Sequence, residues 1–208
     1  MRELESVELP KIEDFYDLNY EKGEIRLRGV KGRAFVLSTQ AWAAFRVALS
    51  NGFKEEASFF VFQMGYSVGM SYVEQIRKLQ GEPKKRLKIL LSIAKSYGWG
   101  PFSIDGDADN ATELIVVAKN CPFCHGRPLS ESPVCHFLTG FVNGLIDRLY
   151  DGQHKASETK CTRMGGTTCE ITITEMPAEN QGRMGTEANE HVGEAILGEG
   201  SAYSDGRS

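Results

Sequence analysis

Residues 133–173 read PVCHFLTGFVNGLIDRLYDGQHKASETKCTRMGGTTCEITI. Ser132-Pro133 predicts the start of a helix, with serine as the cap and proline at the first helical position. Phe137, Leu138, Phe141, Leu145, Ile146 and Leu149 continue it at helical spacing, and Asp151-Gly152 stops it. His154–Lys160 then reads as a strand. Gly165-Gly166 turns the chain within Thr162–Thr168, and Glu170–Thr174 returns antiparallel. The expected unit is a helix followed by a β-hairpin.

Three of the chain's five cysteines lie in this unit. Cys135 falls in the expected first helical turn, where the positive end of the helix favours thiolate over thiol. Cys161 and Cys169 flank the hairpin loop and can face each other. Glu158 stands three residues before Cys161, so strand alternation puts the two on opposite faces unless a bulge or turn intervenes. Three sulfurs and one carboxylate suit a tetrahedral zinc ion that would clasp the helix to the hairpin. The other reading of the same residues is a set of buried, unliganded thiols.

Upstream, Gly23–Ser38 predicts a hairpin, with Gly29 to Gly32 at the turn and Phe35 and Leu37 alternating on the return strand. Ser38 or Thr39 caps a helix bearing Trp42, Phe45 and Leu49 that Asn51-Gly52 closes. A second helix is expected from about 54 to 79. Its apolar residues spread too widely for one face, which implies contact on two sides. Gly65 and Gly69 lie four apart on it, as Gly140 and Gly144 do downstream. Such pairs suit close packing inside the protomer, a dimer contact or a pocket wall. A third helix opens at Pro83, carries Leu87, Leu90, Leu91, Ala94 and Tyr97, and ends at Gly98. Two strands follow, one starting near Phe102 and one over Thr112–Ala118. The Asp105, Asp107, Asp109 pattern between them lacks the glycine and the glutamate of a calcium loop, so it is read as a turn.

Cys121-Pro-Phe-Cys124-His125 follows the second of these strands. It admits a plain loop with free thiols, a second metal site, a redox pair, or the pattern of covalent haem attachment.

The chain has 208 residues, 41% hydrophobic and 25% charged, with a net charge of −4. That suits a globular domain and argues against a mainly electrostatic nucleic-acid binder. No run reaches the roughly 18 apolar residues of a membrane span. The acidic N-terminus lacks a signal core, so a cytoplasmic protein is expected. Residues 1–22 read as a lead-in, 23–175 as the folded domain and 176–208, rich in Gly, Glu and Ser, as a disordered tail.

The pattern P-V-C-x4-G-x3-G, then E-x2-C, then a glycine-bearing loop and C-x-I-x-I, resembles the 4-vinyl reductase domain family. It is carried by Pro133, Val134, Cys135, Gly140, Gly144, Glu158, Cys161, Cys169, Ile171 and Ile173. The glycine helix over 62–79 resembles the family as well. The resemblance implies an α+β fold, an antiparallel sheet packed with helices, similar to trafficking-complex subunits that bind acyl chains. It implies homodimers and structural zinc held by Cys135, Glu158, Cys161 and Cys169. It also implies a buried pocket for an apolar or aromatic small molecule, for which Phe59, Phe62, Tyr66, Tyr72, Trp99 and Phe102 are the candidates. Phenol-responsive members hold the phenol hydroxyl with a histidine and a tryptophan. Ala94 and Ala118 stand at those places here, which implies a wholly apolar ligand. The Cys121/Cys124 pair is outside the shared pattern.

The function expected is therefore a small-molecule sensor or carrier whose output passes through a partner protein. An enzyme or enzyme subunit linked to tetrapyrrole vinyl reduction is the alternative. No glycine-rich dinucleotide loop follows a strand, and a filled zinc shell leaves no open position for chemistry. A structural assembly factor that dimerises through its glycine helices is the third reading.

Overall fold

The computed structural model describes residues 16–27, 33–75 and 81–177. Strands β1 (Tyr16–Asn19), β2 (Glu24–Leu27) and β3 (Arg33–Ala34) form a small antiparallel sheet in that order. The expected hairpin is present as β2 and β3, with Ile25 opposite Ala34, and its turn lies outside the described residues. β1 falls within the expected lead-in. Asn19 Oδ1 accepts from the Lys22 amide at 3.0 Å and Gly23 takes φ +60°, which makes the turn that joins β1 to β2. β3 stops after two residues, so Phe35 and Leu37 lie exposed beyond it.

Helix α1 (Thr39–Phe53) is capped by Ser38, whose Oγ accepts from the Ala41 amide at 3.1 Å. It runs past Asn51-Gly52 to Phe53, and a 3-10 turn over Lys54–Glu56 leads into helix α2 (Ala57–Gln75). The end expected near residue 79 lies outside the described residues. On α2, Ala57, Val61, Gly65, Gly69 and Val73 are buried. That four-residue period is a narrow stripe, with Phe59 and Phe60 on exposed flanks. Helix α3 (Pro83–Ala94) buries Leu87, Leu90, Leu91 and Ala94 as expected. It widens into a π-type turn at Lys95–Trp99, where Gly98 takes φ +83°.

A four-stranded antiparallel sheet carries the rest: β4 (Phe102–Gly106), β5 (Glu113–Ala118), β6 (His154–Lys160) and β7 (Cys169–Glu175), in the order β4-β5-β7-β6. The acidic segment between β4 and β5 is a self-capped turn. Asp107 accepts from the amides of Asp109 and Asn110, the Asn110 side chain and the Thr112 hydroxyl at 3.0–3.2 Å. Helix α4 (His136–Tyr150) lies between α2 and this sheet and is buried almost all round over its first three turns. The predicted start at Pro133 is displaced. Cys135 is the N-cap, and the backbone before it stays non-helical.

The glycine pairs meet each other. A Cβ on Gly65 or Gly69 would run into the Phe137 or Phe141 carbonyl of α4, and one on Gly140 or Gly144 into the Phe62 or Tyr66 carbonyl of α2. Both glycine faces are thus spent inside the protomer, against the expectation of a dimer through them. Asn143 donates to the His154 carbonyl at 3.0 Å and accepts from the Ala156 amide, which ties α4 to β6. Asp147 accepts from the His154 amide and ring Nδ1 and from the Tyr66 hydroxyl at 2.8–3.0 Å, which joins α2, α4 and β6. Asn143, Asp147 and His154 are thus each partnered in this seam, as a packed interior requires.

Candidate metal centre

β7 alternates strictly: Cys169, Ile171 and Ile173 are fully buried on the face turned to α4. Cys169 is the first residue of the strand, so its sulfur emerges level with the N-terminus of α4, where Cys135 sits. Cys161 opens the hairpin loop one residue after β6. Its carbonyl accepts from the Met164 and Gly166 amides at 3.0 Å, which curls the loop back under it. The three sulfurs form a triangle with edges of 3.6 Å (Cys135–Cys169) and 3.8 Å (Cys135–Cys161 and Cys161–Cys169).

Glu158 joins them because β6 is irregular. Its register against β7 slips between Glu158 and Lys160, so that Glu158 opposes Ile171 while Lys160 opposes Glu170. A bulge re-aims the following side chains, and this one puts Glu158 and Cys161 on the same side. Glu158 is only 9% exposed. Its Oε2 accepts from the Val134 and Cys135 amides at 2.9 and 2.8 Å and so caps the entry to α4. Its Oε1 is buried and has no hydrogen-bond partner.

The CPFC segment reaches the same place. It curls into a tight turn, with the Cys121 carbonyl accepting from the Cys124 thiol at 3.5 Å and the Pro122 carbonyl from the His125 amide at 3.3 Å. Cys121 Sγ lies 3.6 Å from Cys135 Sγ, and Cys124 Sγ lies 3.6 Å from Cys169 Sγ and 3.2 Å from the Thr162 hydroxyl. All five cysteines are buried and free of disulfides. His125 is exposed and turned away from the group. Helix α1 grips the turn from outside, with Trp42 Nε1 and Arg46 Nη1 both donating to the Phe123 carbonyl at 3.4 Å. Arg127 donates to the Val134 carbonyl at 3.0 Å, and Arg163 donates to the Arg127 carbonyl at 2.8 Å.

These side chains offer two overlapping sets of four ligand atoms, each within 4.8 Å of one another. One is Cys135, Glu158, Cys161 and Cys169; the other is Cys121, Cys124, Cys135 and Cys169. A tetrahedral ion with metal–sulfur bonds of about 2.3 Å spaces its sulfurs about 3.8 Å apart, close to the edges found. The bare Glu158 Oε1 supplies the anionic oxygen that the first set needs. The donor set therefore fits a soft divalent cation. Burial depresses the pKa of Arg46 through desolvation, and the neighbouring Arg127 adds to the effect, while the thiols of Cys135 and Cys124 pull the other way. Burial likewise lowers His136 from the ordinary imidazole value.

The expected pocket residues do not converge as one group. Phe62 and Tyr66 stack on α2, and Phe59 is 59% exposed beside Phe60. Tyr72 and Trp99 pack with Phe141 in an interior aromatic cluster, where desolvation raises the Tyr72 hydroxyl well above the ordinary phenol value. Phe102 is buried in the sheet opposite Ala118. Ala94 and Ala118 are fully buried. A cleft of about 480 Å³ opens elsewhere, against the cysteine group, lined by Thr39, Asn120, Cys121, His125, Thr162 and Arg163 among others. Sequence reasoning did not anticipate this cleft, which is built from three loops that carry no periodic signal. Among the described residues, no helix is long and apolar enough to cross a membrane.

Residues 114–175, from β5 through β7, match the 4-vinyl reductase domain. Two uncharacterized proteins of Methanocaldococcus jannaschii are similar to the chain. One is 25% identical over 108 residues, 52% of this chain and 61% of its own length; the other is 28% identical over 89 residues, 43% and 53%. The chain thus spans little more than half the length of these relatives. Among solved structures, the phenol-responsive sensory domain of the transcription activator PoxR, with phenol, superposes with a TM-score of 0.68 at 16% identity, over 88% of this chain and 92% of that one. A vinyl-4-reductase family protein from Methanocaldococcus jannaschii gives 0.52 at 15% identity, over 69% and 85%. A trafficking protein particle complex subunit 3 from Naegleria fowleri, covalently bound to palmitic acid, gives 0.52 at 15%, over 67% and 93%. At these identities the superpositions establish the fold. The expected α+β architecture and the 4-vinyl reductase resemblance are both borne out.

Proposed function

We propose that this chain, whose 4-vinyl reductase domain holds the buried cysteine centre, is a zinc-stabilised small-molecule-binding module acting as a sensor or carrier. The observation that carries the reading is the near-complete superposition on a phenol-responsive sensory domain, over 88% of this chain and 92% of that one. The metal reading rests on Glu158, whose second oxygen is buried without a partner beside three sulfurs at tetrahedral spacing. Zinc suits that set because it accepts thiolate and carboxylate together and carries no redox demand. Cys135, Glu158, Cys161 and Cys169 would hold it. The ion's part is to pin the start of α4 to the β6–β7 loop; the shell is complete, so the ligand binds elsewhere.

The ligand is apolar or aromatic. The side chains of Tyr72, Trp99 and Phe141 offer ring faces and edges, and Ala94 and Ala118 add no hydrogen-bonding group nearby. The functional form is a homodimer. Its support is the apolar surface of the N-terminal half, where Phe35 and Val36 are more than 80% exposed and Val47 and Phe59 nearly 60%. Helix α1 has no buried residue, so a second copy has apolar area left to cover. The folded domain takes in residues 23–175, and its output passes to a partner protein.

Native mass spectrometry of protein purified without denaturation, together with thermal shifts against a panel of alkylbenzenes, phenols and fatty acids, tests the ligand. A co-purifying hydrophobic molecule, or a rise of several degrees with one class, is expected. No bound molecule and no shift across the whole panel would sink the sensor reading.

A further inference from the structure

The cysteine group holds more donors than one tetrahedral ion can use. Four-coordinate zinc in the Cys135, Glu158, Cys161, Cys169 set would leave Cys121 and Cys124 beside it, both buried and each in van der Waals contact with a sulfur already counted as a ligand. Cys121 and Cys124 have not merely drifted near the site. The turn that carries them is held by Trp42 and Arg46 from α1, and Arg127 just beyond it anchors to the Val134 carbonyl next to Cys135. The two four-ligand sets share two atoms, Cys135 Sγ and Cys169 Sγ, and these are 3.6 Å apart. That pair is a common edge of two tetrahedra. Cys121 and Cys124 complete one tetrahedron; Glu158 and Cys161 complete the other.

Resting on the zinc reading above, we infer that the chain binds two divalent soft cations as a thiolate-bridged pair, with Cys135 and Cys169 as the bridges. A thiolate sulfur has lone pairs enough for two metals, and each ion then keeps the four-coordinate tetrahedral shell that structural zinc prefers. The second ion takes the place of two thiol protons, one from Cys121 and one from Cys124. The net charge of the buried group is therefore unchanged, and Arg46 and Arg127 stand against the same charge in either state. The Thr162 hydroxyl, 3.2 Å from Cys124 Sγ, is placed to donate to the new thiolate. The Glu158 site has three sulfurs and an oxygen, and the other has four sulfurs, so the two ions are chemically distinct.

The test is metal counting on the full chain. Apo protein is titrated with zinc under reducing conditions and the bound ions are counted by native mass spectrometry. The same protein is loaded with cadmium-113 and its metal resonances are recorded. Two zinc ions per chain and two cadmium signals of different shift are expected, the four-sulfur site lying further downfield. The Cys121→Ser, Cys124→Ser double variant should retain one ion and one signal with unchanged far-ultraviolet dichroism. One ion and one signal in the wild type, both kept in the double variant, would overturn the bridged pair and leave the single-zinc reading intact. One ion that is lost in the double variant would place the metal in the four-sulfur set and overturn both readings. If the double variant does not fold, the wild-type count and the number of its cadmium signals decide the matter alone.

Discussion

At the residue scale Glu158 has two separable tasks. One oxygen caps the Val134 and Cys135 amides, and the other is free for a cation. Glu158→Gln separates them. The amide oxygen can still accept from the two backbone donors, but the negative charge is gone. The variant should fold when zinc is in excess, yet lose zinc to a competing chelator about 10–100-fold more readily than the wild type. Competition with a chromophoric chelator measures this, and an unchanged affinity would reduce Glu158 to a helix cap. The same residue marks how far the sequence could be read. Cys135, Glu158, Cys161 and Cys169 were legible as one set from the motif, but Glu158 and Cys161 have the wrong parity for a regular strand. The bulge that reconciles them leaves no trace in residue type. Cys121 and Cys124 were harder still. They sit on a turn without periodicity, and only tertiary packing shows that they point into the same group.

At the element scale the molecule depends on α2 and α4 lying backbone to backbone. The four glycines are the reason, since each stands where a Cβ would enter a carbonyl of the facing helix. Gly140→Ala should therefore lower stability by about 2–3 kcal/mol or more, as overpacking of a rigid interface does. Gly52→Ala is the control. It lies near the end of α1 with open space around it, and it should gain up to about 1 kcal/mol from helix propensity. Urea denaturation of both variants checks the pair; equal effects would mean that the crossing is looser than it looks. The glycine spacing was visible in the sequence, and so was the helical character of both segments. Their mutual contact was not, because a four-residue glycine repeat fits an intramolecular and an intermolecular crossing equally well. The start of α4 is displaced for a related reason. Ser132-Pro133 is a good local start signal, but the Glu158 carboxylate, supplied from a distant strand, holds the following amides in a non-helical conformation and delays the helix to His136.

For the whole molecule, the cysteine centre is where the sheet, the central helix and the loop braced by α1 come together. Removing the metal would leave five buried thiols and a buried carboxylate with little to hold them, and the three parts would lose their common tie. Chelation should therefore lower the midpoint of thermal unfolding by ten degrees or more, as for other sites where metal binding is part of folding. The pH dependence follows from the same chemistry. Ligation needs thiolates, whose free thiols titrate at about 8.5, and protons compete for each sulfur. Stability contributed by the metal is thus fully present at neutral pH and above and falls as the solution is acidified, with the ion released as the sulfurs take up protons. The loss should be steep, because several protons replace each ion, and excess zinc should move it to lower pH. Calorimetry from pH 8 to pH 5, with and without added zinc, measures the effect. A midpoint that is insensitive to both chelator and pH would show that the packed helices and sheet carry the fold alone, with the cysteines as bystanders. A midpoint that falls with acid and recovers with zinc would tie the integrity of the entire domain, including any ligand pocket beside Trp99, to the occupancy of this one centre.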